Sequence, residues 1–177
     1  LALALPVAEA ADALGYAPLQ AEAQLSVGLL QRLLGAHDEA ERALERAYFL
    51  GQEIENEELA REAATMLAYV IAKLQLRPDD AQRWLEAARV AAERVGGDKA
   101  WGDYLDTEGS VLWAARRKEE ALARYRSALP LFEKEWGPRH PEVAGVLNNL
   151  GLLLLDLDRP ELALDHIRRS LSIREAA

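Results

Sequence analysis

The sequence predicts an all-α solenoid of about nine helices, arranged as stacked antiparallel pairs. Half of the residues are hydrophobic, mostly Ala and Leu, and only 6% are aromatic, a composition typical of helices that pack through small side chains. Apolar residues recur three and four positions apart, and no segment reads as a strand. Most informative are Ala40, Ala81, Ala121 and Ala163, which follow one another at intervals of 41, 40 and 42 residues. Such a fixed period is typical of a helical repeat array.

Each of these alanines lies in the same local pattern. The interpretation is that two antiparallel helices cross where side chains are small, and that the apolar positions between them are buried. One such pair cannot bury both of its faces, so neighbouring pairs must stack. The residues twelve before each alanine are Gly28, Tyr69, Gly109 and Gly151, those four after are Leu44, Leu85, Tyr125 and Ile167, and those seven after are Ala47, Ala88, Ala128 and Ser170.

The period divides the chain into one array with five segments. We predict the second helix of a truncated repeat first, because Ala4-Leu5-Pro6-Val7 resembles Ala128-Leu129-Pro130-Leu131. The chain is read as a piece of a longer protein. The predicted segments are residues 1–17 for the truncated repeat, then 18–56, 57–97, 98–137 and 138–177 for repeats one to four.

Turn and capping residues set the predicted helix ends. Pro18 and Pro141 suit the first turn of a helix, where a missing N–H costs nothing. Asp38 and Asn56 are predicted N-caps, and Gly96-Gly97 is the clearest stop signal.

Two prolines fall inside predicted second helices, at the same repeat position. Pro6 and Pro130 each remove one backbone hydrogen bond, at a cost of about 3 kcal/mol unless the helix bends. We expect a bend that leaves the helix continuous. The other interpretation is that each helix ends there.

Composition argues against several classes of function. A formal net charge of −9 does not suit binding to a phosphate backbone, so no nucleic-acid partner is expected. The absence of cysteine excludes disulfides and is compatible with a reducing compartment, so a cytoplasmic location is predicted. The longest apolar runs are far shorter than the roughly 20 residues needed to cross a bilayer, and no membrane partner is expected.

No catalytic or cofactor motif is recognisable. His37, His140 and His166 are far apart, and none has a second ligand at metal-binding spacing. His140 precedes a proline-led helix and is expected to cap it or to pack in the loop. The glutamates between Glu53 and Glu62 are interpreted as a solvated face, and the glycines form no phosphate loop. We therefore predict no enzyme activity, no cofactor and no metal.

The last repeat carries a family resemblance. Gly137-Pro138-x-His140-Pro141, Leu150-Gly151, Ala163 and Ile167 together resemble the tetratricopeptide signature. The ordinary repeat has 34 residues, whereas these have about 41, which is similar to the long repeats of kinesin light chains and many bacterial regulatory proteins. The Ala/Leu/Arg-rich style is also similar to the repeat regions of bacterial eukaryotic-type Ser/Thr kinases, although no kinase element is present. The resemblance implies a right-handed superhelix.

The resemblance also implies which residues of each first helix face a concave groove. The Lys/Asn/Arg clamp that some such domains use for a C-terminal carboxylate is missing. Met66 and Trp113 are predicted anchors, and Asn148 is predicted to bind an extended backbone. For the leucines, packing against neighbouring helices is an equally weighted interpretation. The candidate groove residues are Leu25, Leu29, Arg32, Met66, Val70, Lys73, Asp106, Ser110, Trp113, Asn148, Leu152 and Leu155.

The leading functional hypothesis is a scaffold that binds a peptide or protein segment in this groove, as a regulatory module of a larger signalling protein. Arg32, Lys73, Asp103, Asp106 and Asp156 would set the orientation of the partner. A second hypothesis is a self-associating or spacer module, with homo-oligomers forming through exposed ends of the array. A third is a sensor of a small signalling ligand or peptide.

Overall fold

The computed structural model describes residues 4–176 and contains nine α-helices and one π-helical segment within them. No strand occurs between residues 4 and 176, and the all-α prediction is confirmed. Residues 1–3 of the predicted truncated repeat, and Ala177, lie outside the described residues. The helices are α1 (Ala4–Leu14), α2 (Ala17–Leu33), α3 (His37–Glu53), α4 (Glu57–Tyr69), the π segment (Val70–Leu74), α5 (Gln82–Val95), α6 (Gly97–Ala114), α7 (Lys118–Trp136), α8 (Pro141–Asp156) and α9 (Pro160–Ala176).

The chain forms two compact units, Leu1–Val95 and Gly96–Ala177. In the first unit α2 packs along α3, and α4 along α5; in the second, α6 packs along α7, and α8 along α9. Two core clusters of the first unit consist mostly of alanine, whereas that of the second is rich in leucine and includes Tyr125 and Phe132. The boundaries of the four repeats stay a prediction.

Three of the repeat glycines lie where two helices touch. A Cβ atom added to Gly28 would be 2.6 Å from Leu44 Cγ. The same atom on Gly109 would be 2.7 Å from Tyr125 Cε1, and on Gly151 it would be 2.5 Å from a side-chain carbon of Ile167. Contacts this short require neighbouring atoms to move, so these three pairs favour glycine here, opposite the apolar residue four after the repeat alanine.

The same turn ends the first helix of every pair. Its left-handed residue is Gly35, Leu76, Arg116 or Asp158, with φ of 77°, 57°, 65° and 58°. The next residue donates its N–H to a carbonyl of the last helical turn at 2.9 Å in all four copies, as in a Schellman motif. The turn therefore identifies equivalent residues: the accepting carbonyls belong to Gln31, Ile71, Leu112 and Leu154.

The second pair contains one extra residue, which the π segment absorbs. Arg77 N–H bonds to the carbonyl six residues earlier, whereas the other three turns span five. A π-helical turn accommodates such an insertion. Upstream of it the residue equivalent to Gly28 is Ala68, which is fully buried, and not Tyr69. The predicted register of this helix was therefore wrong by one residue before the π segment.

Helix caps follow the sequence with one exception. Pro18 and Pro141 lie in first turns as predicted, and Asn56 Oδ1 accepts from the Leu59 N–H at 3.0 Å. The prediction for Asp38 is wrong, since α3 already begins at His37. Asp38 lies in the first turn instead, where its negative charge is favourable near the positive end of the helix dipole.

The internal prolines do not end their helices. Pro130 lies inside α7, which continues to Trp136, and α1 continues from Pro6 to Leu14. The interpretation in which the helices stop at proline is therefore wrong. Pro6 and Pro130 are both exposed. The backbone carbonyl that Pro130 leaves without a donor can therefore bind water.

Candidate functional site

Two side-chain hydrogen bonds join α6 to α8 in the second unit. Asn149 Nδ2 donates to Asp106 Oδ1 at 3.0 Å, and Trp113 Nε1 donates to Asp156 Oδ2 at 2.8 Å. The two bonds are seven residues apart on both helices. The helices therefore run side by side in the same direction, with the bonds about 10 Å apart along them.

The Trp113 indole is held by an ionised partner. Lys118 Nζ lies 3.0 Å from Asp156 Oδ1 and donates to the Asp156 backbone carbonyl at 2.9 Å. The hydrogen bonds from Lys118 and then Trp113 hold the pKa of Asp156 below its ordinary value. The carboxylate thus stays an acceptor at neutral pH and fixes the orientation of the ring.

An apolar stripe on α8 lies beside this network. Leu152 is 44% exposed and Leu155 46% exposed. Asn148, Leu152 and Asp156 are spaced by four residues and share one face of the helix. Asn148 is half-buried, and its side chain makes no hydrogen bond within the described part of the chain. Its amide remains available to a ligand.

Ser110 belongs to the core and not to the groove surface. It is 1% exposed, and its hydroxyl forms a hydrogen bond of 2.9 Å with the Tyr125 hydroxyl. Of the predicted groove residues on α6, Asp106 and Trp113 remain half-buried with surface to offer.

The first unit has a smaller candidate surface. The Arg32 guanidinium lies 6.0 Å from the centre of the Tyr69 ring, within range of a cation–π interaction. Leu25, Leu29, Met66 and Lys73 are half-buried, and Leu25 packs against the alanine-rich cluster of α2, α3 and α4. Part of the surface of these side chains is therefore already buried by packing within the first unit.

The π segment changes which residues of the second pair face this surface. Val70 is fully buried and belongs to the core, although it is among the predicted groove residues. The corrected register places Tyr69 at its position and Thr65 at that of Met66. Tyr69 is missing from the predicted groove residues because it was aligned with the crossing glycines. The size of its side chain, which does not suit a close helix crossing, was the signal against that alignment.

Two of the histidines, His140 and His166, are in contact with neighbouring residues of the fold. His140 Nδ1 accepts from the Glu142 N–H at 3.3 Å, and its ring stacks on Trp136 with the centres 4.9 Å apart, so the predicted loop role is confirmed. Burial lowers the pKa of His166, aided by the positive charge of Arg126. Among residues 4–176, no group of acidic and histidine side chains is arranged to hold a metal.

No helix in the described range is both long and apolar enough to span a bilayer.

Comparisons with known proteins agree with this architecture. Residues 105–176 match the tetratricopeptide repeat family model. The crystal structure of BtubC (BKLC) from P. vanneervenii is similar with a TM-score of 0.75 and 25% identity, over 99% of this chain and 72% of that one.

The apo form of RapI is similar in fold alone, with a TM-score of 0.70 and 15% identity, over 88% of this chain and 56% of that one. The chain thus spans little more than half the length of RapI. A search of curated proteins finds no match. Residues 105–176 therefore match the tetratricopeptide repeat family, and the helices before them form antiparallel pairs of the same all-α class.

Proposed function

We propose that this protein is an interaction scaffold, and that the groove face of its second unit binds an apolar peptide segment of a partner protein. The observation that carries the proposal is the Trp113 indole, held by Asp156 at 2.8 Å next to a helix face with two exposed leucines. Large aromatic side chains of this kind dominate binding energy at interfaces. We further propose that the scaffold is the regulatory module of a larger signalling protein.

Burial of the exposed leucines supplies the driving force. Full burial of a leucine is worth about 1.5–3 kcal/mol, and Leu152 and Leu155 are a little under half exposed. Each therefore contributes on the order of 1 kcal/mol when covered. Because the Trp113 ring is already fixed, its ordering adds little entropic cost on binding.

Polar groups along the stripe define the ligand further. The free Asn148 amide offers one acceptor and two donors to an extended peptide backbone. The Asp156 carboxylate retains lone pairs beyond its bonds to Trp113 and Lys118. The expected partner is an apolar segment flanked by Lys or Arg.

A displayed library of short random peptides tests the proposal. Wild-type protein should enrich apolar peptides with flanking basic residues, and Leu152→Asp should weaken an enriched peptide at least tenfold in calorimetry. Leu164→Asp on α9 is the matched control, because Leu164 is also 44% exposed. The proposal fails if no peptide is enriched, or if both variants bind like wild type.

Self-association is a second candidate function, favoured by one observation. Leu162, Leu164 and Leu171 on α9 are 44–54% exposed, and Leu164 and Leu171, seven residues apart, lie on one face of the helix that a second copy could cover. Light scattering over a range of concentrations should then show a rising mass that Leu171→Asp reverses. A constant monomer mass would exclude this function.

A further inference from the structure

The first repeat carries two glutamines where the other repeats have apolar core residues. The turn hydrogen bond that places Gln31 makes Ile71, Leu112 and Leu154 its equivalents, and all three are buried. One helical turn before the crossing residue, Gln24 corresponds to Ala64, Leu105 and Leu147. Gln24 and Gln31 are each only 9% exposed. Packing alone does not explain amides at both positions.

These glutamines face a cleft in the first unit. The cleft lies between α1, α2 and α3, has a volume of about 310 Å3, and is lined by Gln24, Val27 and Gln31 together with alanines of the two flanking helices. Gln24 and Gln31 are seven residues apart, so they lie on the same face of α2. This volume is at the lower end of pockets that hold small ligands, roughly 300–1,000 Å3.

The cleft is open because its flanking side chains are small. Ala8 and Ala43 line it, and Ala43 stands three residues after the repeat alanine Ala40. The equivalent residue of the next repeat is Trp84, which is 4% exposed and packs edge-on against Tyr48 of α3. A tryptophan at position 43 would therefore occupy the space that the first repeat leaves free.

Gln31, which lines this cleft, has an unsatisfied acceptor. Its Oε1 atom is buried and has no hydrogen-bond partner. Leaving such a buried polar atom without a partner costs about 1–3 kcal/mol. A leucine, as in the third and fourth repeats, would avoid that cost, so the amide is best explained by a ligand that donates an N–H.

Charges of both signs surround the amides. Glu9 lines the cleft and makes no ion pair within the described part of the chain. Arg42 also lines it, and its only ion pair there, with Glu39, is an exposed contact of 3.4 Å. Asp12 is already engaged by Arg46 at 2.7 Å. Glu9 and the exposed guanidinium of Arg42 thus suit a molecule with one positive and one negative group, whose carboxylate would compete with Glu39 for Arg42.

We propose that this cleft is a binding site for a free amino acid. Binding turns the Gln31 amide towards the cleft, so that Oε1 accepts from the ammonium group, which also faces Glu9, and the carboxylate faces Arg42. The Gln24 amide is left to contact the side chain. The site is distinct from the groove on α6 and α8, and it does not depend on peptide binding there.

Ligand-observed NMR with each standard amino acid at millimolar concentration tests the proposal, followed by calorimetry on any that bind. At least one should bind wild type, and Gln31→Leu should weaken it at least tenfold. Because leucine is the native residue at this position in two other repeats, this variant should fold. Ala43→Trp should also abolish binding by filling the cleft while leaving both glutamines in place.

Gln82→Leu is the matched control, since it makes the same chemical change on the exposed surface of α5, and it should bind like wild type. The proposal is overturned if no amino acid binds the wild-type protein. It is equally overturned if a bound amino acid has the same affinity for Gln31→Leu, because the buried acceptor would then have no part in recognition.

Discussion

The glycine at the α8–α9 crossing can be tested against another glycine in the same helix. Gly145 and Gly151 are both in α8. A Cβ atom on Gly145 would meet nothing within 4 Å, whereas on Gly151 it would be 2.5 Å from Ile167 Cγ1. Replacing each by alanine therefore makes the same change in helix propensity and differs only in the space available.

The expected free energies have opposite signs. Alanine in a helix interior is better than glycine by about 0.5–1 kcal/mol, so Gly145→Ala should stabilise the fold by that amount. At Gly151 the same gain is opposed by overpacking, which costs about 1–3 kcal/mol. Ile167 is β-branched and its χ1 rotamer is restricted, so α9 has to shift. We expect Gly151→Ala to be net destabilising by about 1–2 kcal/mol.

Urea unfolding followed by far-UV circular dichroism measures both variants. The unfolding midpoints should move in opposite directions while the slope m stays the same. In an Ile167→Ala background the penalty of Gly151→Ala should disappear, because the contacting atom is gone. If Gly151→Ala is as stable as Gly145→Ala, the close crossing is not what requires glycine.

Two further predictions concern the first-helix turns. Leu76 is 77% exposed and has a φ of 57°, a conformation that costs a non-glycine residue about 1–2 kcal/mol. Leu76→Gly should therefore raise the unfolding midpoint in urea. An unchanged or lower midpoint would contradict the proposed backbone strain at this residue. Deleting Ala72 should convert the π segment into α-helix, and the helical circular dichroism signal and the urea midpoint should stay close to those of wild type. Deleting Ala64 should instead unfold the first unit. Equal loss of stability from both deletions would contradict the interpretation that the π segment accommodates one inserted residue.

The repeat period could be predicted because it is set by steric requirements that recur. The crossing glycines, the apolar residues opposite them and the proline-led first turns each leave a residue type at a fixed spacing. Helix order and approximate bounds follow from them. The N-cap at Asp38 was wrong because a three-residue turn fixed by Gly35 places the N-cap at Ala36, two residues earlier than the side-chain preference suggests.

The groove residues were harder to predict, for a physical reason. Groove-facing and core-facing residues of a first helix share the same 3.6-residue period, so spacing cannot separate them. Ser110 and Val70 were assigned to the groove although both are buried. For Val70 the error comes from the π segment, since one inserted residue rotates every upstream side chain by about 100°. No sequence pattern marks a π turn.

Differences between copies are more informative than the pattern itself. Where all four copies agree, as at the repeat alanines, the shared cause is packing. Where one copy departs and the departure has an energetic cost, packing cannot be the reason. At the first-helix turn, by contrast, three copies have a residue other than glycine with positive φ, namely Leu76, Arg116 and Asp158, so the strain there is tolerated in most copies. Gln31 is a departure of one copy only, since the equivalent residues are Ile71, Leu112 and Leu154. It leaves a buried acceptor unpaired in a residue that lines an open cleft, and this cost is the reason for proposing a binding site there.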